Sequence, residues 1–163
     1  MYSGTLVSLF PFELNILSQL NLNFLSASTS AVRIDNEVLS GRSYGGTAIL
    51  YKRNLSHAIT VLDANEPRMS ALVLHTTNGP VLLVSVYMPT DYGSLECAEE
   101  YLDMCAKISV LYSESEAAYL IVIGDFNCEY NMSSRFHDSL VNFIANNQLV
   151  CSDAQRLANV YLL

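Results

Sequence analysis

Charge is scarce in this chain, and positive charge is scarcest of all. Only 15% of the 163 residues are charged while 51% are hydrophobic. That excludes an intrinsically disordered chain, which buries too little apolar surface to offset the entropy of ordering. Eight Lys and Arg stand against sixteen Asp and Glu, a formal net charge of −8. Non-specific affinity for nucleic acid comes mainly from Lys and Arg, so a surface that holds phosphate backbones unaided is disfavoured. Carboxylates that hold a divalent cation leave a route to phosphodiesters open. No apolar run approaches the roughly 18 residues of a membrane span, and the opening "MYSGTLVSLF" lacks the basic start of a signal peptide. The four cysteines, Cys97, Cys105, Cys128 and Cys151, show no C-x-x-C spacing. A chain long enough to bury a core has no need of disulfide staples, so they read as buried or free thiols in a reducing compartment. There is no internal repeat, low-complexity tract or linker. The expectation is one soluble domain over residues 1–163, intracellular in nucleus or cytoplasm, without a membrane partner.

What is present is a regular alternation of strand and helix signals. Pro11 opens "PFELNILSQL", a short helix with leucines at helical spacing. "GGTAILYKR" (45–53) and "HAITVLD" (57–63) read as a strand pair. "MSALVLHT" (69–76) and "VLLVSVYM" (81–88) are joined through Asn78-Gly79, the strongest hairpin signal in the chain. Both are apolar at nearly every position, as strands covered on both faces are. Residues 94–114 form an amphipathic helix that Ser94 can cap, with Leu95, Ala98, Leu102, Cys105 and Ile108 as the expected buried stripe and Asp103 and Lys107 paired at i, i+4. The strand "AYLIVIG" (118–124) follows, and then a second helix over about 135–146. Strand, helix, strand from 81 to 125 is a crossover, which joins parallel strands. Their C-terminal ends then share one edge of the sheet, the place where open α/β sheets bind ligands.

That edge would gather Tyr87, Thr90, Asp125 and Asn127. Asp125 and Asn127 are two apart, so along an extended backbone they project to one side. A carboxylate beside an amide suits a hydrated Mg²⁺ and the phosphate it bridges. Taken alone, "GDFN" also reads as a strand-end turn, and Tyr87 as strand packing. "GRSYGG" (41–46) contains a literal G-x-S-x-G, but Ser43 precedes a strand instead of following one, so the nucleophile-elbow reading fails on context. His57, His75 and His137 have no metal-ligand spacing.

"GRSYGGTAILYKR", "LHTTNGPVLLVSVYMPTDYG" and "LIVIGDFNC", in that order and spacing, resemble the endonuclease domain of LINE-type (non-LTR) retrotransposons, a branch of the endonuclease/exonuclease/phosphatase superfamily. The likeness runs from about Leu9 to the C-terminus. It implies an α/β (α+β) fold, an incomplete four-layer sandwich of two mixed β-sheets flanked by helices. It implies phosphodiester hydrolysis with Mg²⁺ (or Mn²⁺), DNA as the substrate, and a reverse transcriptase domain as partner in the full-length parent. By the same resemblance Asp125 orients the attacking water and is the candidate metal ligand among the matched residues. Asn127 binds the scissile phosphate, and Tyr87 contacts the phosphate or a metal ligand. Thr90 stands where many relatives have asparagine, and Arg42, Tyr44 and Gly45 lie on a loop near the DNA.

The chain also departs from that pattern. Where relatives carry a Q-E pair whose glutamate ligates Mg²⁺, this chain reads "GTLVS", and Glu13 lies beyond it. The chain ends at "NVYLL", before the closing Asp-His pair of the relatives. The resemblance therefore implies a domain truncated at both ends, with weakened metal binding and hydrolysis weakened or lost. Removing one general acid or base alone costs about 10²–10⁴-fold. Absent outer strands would leave apolar sheet edges. Two alternatives stay open: a non-catalytic relic or binding module, and a phosphatase of the same superfamily.

Overall fold

The computed structural model describes residues 2–4, 19, 21–30, 46–128 and 134–152. Seven strands and two α-helices are described: β1 (Tyr2–Gly4), β2 (Phe24–Thr29), β3 (Thr47–Lys52), β4 (Ile59–Leu62), β5 (Met69–Thr76), β6 (Gly79–Tyr87), α1 (Leu95–Glu114), β7 (Tyr119–Asp125) and α2 (His137–Asn146). The helix expected on 11–20 lies, apart from Gln19, outside the described residues. Two compact units divide the chain, Met1–Met88 with Leu111–Asp125, and Pro89–Val110 with Phe126–Leu163. Among the described residues no helix is long and apolar enough to cross a membrane.

All seven strands belong to the first unit. They form a three-stranded sheet in the order β1-β3-β2 and a four-stranded sheet in the order β4-β5-β6-β7. Two sheets with helices are the expected architecture; among the described residues the second sheet is mixed and the first pairs antiparallel. The β5–β6 hairpin closes on the pair Thr76 and Gly79, so its turn is Thr77-Asn78 and Gly79 already lies in the strand, at φ 121°. The crossover holds as expected: β7 runs parallel to β6 from Val81 opposite Tyr119 to Tyr87 opposite Asp125. The expected pair of 45–53 with 57–63 does not form. A six-residue 3₁₀ segment, Arg53–Ala58, carries the chain from one sheet to the other, so β3 pairs with β1 and β2 while β4 pairs with β5. Local pattern finds strands; it does not find partners supplied by distant sequence.

The layer between the sheets changes character along its length. At one end Ala27, Ile49, Tyr51, Leu72 and Leu83 form an apolar core, with Leu25, Ile59, Leu74 and Val81 packed on it. Further along the same face come hydroxyls. Ser70 Oγ lies 2.7 Å from Thr47 Oγ1, donates to Thr47 O at 2.8 Å and lies 3.1 Å from Thr29 Oγ1; Thr29 in turn donates to Met69 O at 2.9 Å. These bonds satisfy groups that burial would otherwise penalise. They also fix which face of β5 and β6 looks at the first sheet.

The apolar strands β5 and β6 are buried at every position over Met69–Val73 and Leu82–Val86, as their composition predicts. Strand β7 differs. Among the described residues it is an edge, and Tyr119, Ile121 and Ile123 are 53%, 45% and 42% exposed.

In the second unit, Ser94 caps α1 by accepting from the Cys97 N–H at 3.3 Å, and Lys107 pairs with Asp103 at 2.8 Å. The buried side of α1 is Cys97, Tyr101, Met104, Cys105 and Ile108. Leu95 and Leu102, expected inside, are 79% and 57% exposed. The stripe is rotated toward the aromatic, because Tyr101 stacks on Phe136 just before α2, with ring centroids 4.3 Å apart. All four cysteines are free thiols, Cys97 and Cys105 buried.

Candidate functional site

The polar end of the inter-sheet layer terminates in a row of three side chains, two from the last residues of β6 and β7 and one from the turn residue just before β5. Tyr87, the last residue of β6, is in register with Asp125, the last of β7. On its other side Tyr87 donates its backbone N–H to Arg68 O at 2.9 Å, continuing the β5–β6 ladder one step beyond Met69 and Val86. Residues directly opposite one another share a face of the sheet, so Arg68, Tyr87 and Asp125 project together. Ser70 and Ser85 sit one row below on that face, and Ser70 is bonded to the first sheet. The row therefore stands at the rim of the layer between the sheets. The Arg68 guanidinium carbon lies 5.6 Å from the centre of the Tyr87 ring, a cation–π arrangement.

Two local features hold this rim. Gly124 has φ 149°, and a Cβ there would meet Val86 O at 1.9 Å, so only glycine lets β7 approach β6 immediately before Asp125. The strand ladder then reaches one residue further, with Met88 N–H donating to Asp125 O at 2.8 Å. Below the row, Ser85 Oγ is buried and finds no hydrogen-bond partner among the described residues.

The sequence-derived site residues fall into three groups. Tyr87 and Asp125 are brought side by side. Asn127 and Thr90 belong to the second compact unit. Asn127 is half-buried at φ 46°, so the backbone is not extended through it and the same-side argument from spacing does not hold; β7 ends at Asp125. Arg42, Tyr44 and Gly45 lie outside the described residues; the next residue, Gly46, donates its N–H to Pro67 O at 3.1 Å, one residue from Arg68. Sequence reasoning missed Arg68 and the role of Gly124. The signal for Arg68 was its position just before a strand whose hairpin partner ends in Tyr87.

In chemical terms the row offers a cation, a phenol donor and a carboxylate. Mg²⁺ is commonly held by one or two carboxylates completed by waters and phosphate oxygens. The exposed Asp125 fits that requirement where a substrate phosphate fills the rest of the shell. Among the described residues there is no group of three His, Cys, Asp or Glu side chains able to hold a metal ion by itself.

The second unit carries perturbed groups of its own. Burial pushes the Cys105 thiol up to about 12, with electrostatic repulsion from the neighbouring Cys128 a smaller cause. Burial likewise raises Tyr101, and its hydroxyl lacks a partner among the described residues. Arg135 donates to Ser94 O at 2.6 Å and lies 3.9 Å from Asp91, tying the segment before α2 to the start of α1.

No family model matches the chain, and no curated protein matches it in sequence. Among solved structures, the human Nocturnin catalytic domain with bound sulfate anion is similar at TM-score 0.50 and 15% identity, over 85% of this chain and 53% of that one. The fold is an α/β sandwich of the endonuclease/exonuclease/phosphatase type. D. rerio TDP2 complexed with single-strand DNA product is similar at TM-score 0.46 and 14% identity, over 91% of this chain and 52% of that one. D. rerio TDP2 humanized by 14 mutations gives 0.45 and 14%, over 91% and 53%. The chain spans about half the length of the solved chains it is similar to.

Proposed function

We propose that this chain carries the phosphate-handling half of a phosphodiester hydrolase site, of the LINE-type retrotransposon endonuclease kind, acting on DNA. The observation that carries the reading is the in-register pairing of Tyr87 with Asp125 at the polar rim of the sandwich, in a fold shared with the endonuclease/exonuclease/phosphatase superfamily. We read residues 1–163 as one partial domain of that type, working beside a reverse transcriptase domain in a longer parent.

In this reading the Asp125 carboxylate accepts a hydrogen bond from the attacking water and orients its lone pair toward phosphorus. The Tyr87 phenol donates to a non-bridging oxygen, where negative charge grows as the water adds; donors aimed at developing charge are the strongest electrostatic aid a site has. Asn127 is the phosphate-binding amide of this reading. Thr90 and the loop residues Arg42, Tyr44 and Gly45 contact the DNA strand. Mg²⁺, or Mn²⁺ in its place, would supply charge neutralisation at the phosphate when bound, with Asp125 as the protein carboxylate beside it.

A non-catalytic phosphate-binding module is a second reading. The composition of the row favours it, because Arg68 and Tyr87 suit anion binding and only Asp125 brings a group that can act on water. Nicking of supercoiled plasmid in Mg²⁺, compared between the native chain and Asp125→Ala, separates the two. Slow nicking that the substitution abolishes supports the hydrolase. Plasmid binding without nicking supports the module, and turnover of phosphomonoesters without nicking points to a phosphatase.

A further inference from the structure

We infer that the outer edge of β7 is a homodimer interface: two copies of this chain pair β7 antiparallel about a two-fold axis through Ile121, joining their four-stranded sheets into one. The inference does not rest on the phosphodiester reading.

Backbone geometry says which groups stand at that edge. Met88 N–H donates to Asp125 O, and on the other side of β6 Tyr87 N–H donates to Arg68 O. Even-numbered residues of β6 therefore turn their backbone groups to β7 and odd-numbered ones to β5, since successive residues of a strand alternate. In a parallel ladder a residue bonds to the two that flank the one opposite it. With Val81 opposite Tyr119 and Tyr87 opposite Asp125, the residues of β7 bonded to β6 are Tyr119, Ile121, Ile123 and Asp125. The N–H and C=O groups of Leu120 and Val122 point the other way, and among the described residues β7 has no neighbour on that side. Side chains there are open as well. Tyr119, Ile121 and Ile123 are half-exposed, although Leu83 and Ser85, beside them on the same face of β6, are buried.

Three features select a second copy as the occupant. The first is charge. Ala117–Gly124 carries none, in a chain whose formal charge of −8 makes copies repel elsewhere. The second is self-complementarity, which an interface using one patch on both subunits requires. Turned antiparallel about Ile121, the strand sets Tyr119 against the partner's Ile123, an aromatic and β-branched pair of the favourable kind. Leu120 and Val122 exchange N–H···O=C bonds with the partner's Val122 and Leu120, and the two Ile121 side chains meet in the closer, non-hydrogen-bonded position. Asp125 falls opposite the partner's Ala117, so no carboxylates are set face to face. The third is the character of the edges. Monomers blunt an edge with shortness, polar residues, Lys or Pro. Among the described residues β1 has three residues, β4 has four and β2 carries Ser26 and Ser28, whereas β7 runs for seven without Lys or Pro. One such edge per copy closes the assembly at two chains. Asp125 stands four positions from the axis, so at about 3.3 Å per residue the two rims lie about 26 Å apart and neither contributes to the other.

The test has two parts. In sedimentation equilibrium the mass should rise with concentration from the 18.0 kDa of one chain to twice that and stop. Ile121→Lys places like charges opposite each other on the axis and is expected to weaken association about tenfold or more. The second part uses the native chain alone. By amide hydrogen exchange, Leu120 and Val122 should exchange fast in dilute solution and slow about tenfold or more as the dimer forms, while Ile121 and Ile123, bonded to β6, are slow throughout. A native chain that stays at 18.0 kDa at the highest concentration reached overturns the inference. So does a dimer in which Leu120 and Val122 remain fast, which assigns association to another surface. Protection of both amides in the monomer gives the edge to a segment of the same chain and overturns it too. Growth past two chains contradicts the two-fold closure. If Ile121→Lys does not fold, the exchange pattern of the native chain decides.

Discussion

A single hydrogen atom decides the shape of this site at Gly124. Its φ of 149° and the 1.9 Å that would separate a Cβ from Val86 O leave no room for alanine, and the obstructing atom is backbone that cannot rotate away. Gly124→Ala should therefore cost about 3 kcal/mol or more, which for a chain of this size lowers Tm by about 6–12 °C. Thermal unfolding followed by circular dichroism checks the value. Any nicking activity should fall further than stability explains, because the displaced backbone carries Asp125. The glycine stands in the motif "GDFN", yet the sequence could not assign its reason, since the clash lies with Val86, thirty-eight positions away in the numbering. Arg68 escaped notice for a related cause. Singly it is one more residue before a strand, and its meaning comes from the partner strand that ends in Tyr87.

Among the elements, the hairpin and the crossover were legible because their signals are local. Asn78-Gly79 marks a turn, and a helix between two apolar runs demands a parallel pair. The partners of β3 were not legible, because two antiparallel neighbours arrive from sequence far upstream while the nearest candidate, β4, joins the other sheet. Strand β7 misleads in another way. Its apolar composition matches a central strand, yet among the described residues it forms an edge, with Tyr119, Ile121 and Ile123 exposed on the face that holds Leu83 and Ser85 in β6. Exposed apolar edges invite pairing between chains. Replacing Ile121 with lysine should suppress concentration-dependent association seen by light scattering and leave the melting temperature within a few degrees. Unchanged association would show that another surface governs it.

For the whole molecule, titration of the second unit sets a limit on alkaline stability. Unfolded, the Cys105 thiol has its ordinary value of 9.0, whereas burial in the fold pushes it up to about 12. Between those values the unfolded chain has released a proton that the folded chain retains, so the contribution is intact below pH 9 and declines as pH rises toward 12. Tyr101 is raised by burial too and adds a loss of the same sign. Tm should accordingly fall steadily from about pH 9 upward. Tyr101→Phe should hold or raise Tm at pH 7, since it deletes a buried hydroxyl without a partner among the described residues, and should flatten the alkaline decline. A Tm that is insensitive to pH up to 11 would refute this assignment.

The central claim is that Tyr87 and Asp125 act on one phosphate, and a double-mutant cycle in single-turnover DNA cleavage tests it most directly. Groups that act as a unit are strongly non-additive in rate. Asp125→Asn is expected to slow cleavage by about 10²-fold or more, Tyr87→Phe by a smaller factor, and the double variant by little more than Asp125→Asn alone. Rate losses that simply multiply, or an Asp125→Asn chain that cleaves as fast as the native one, would contradict the account.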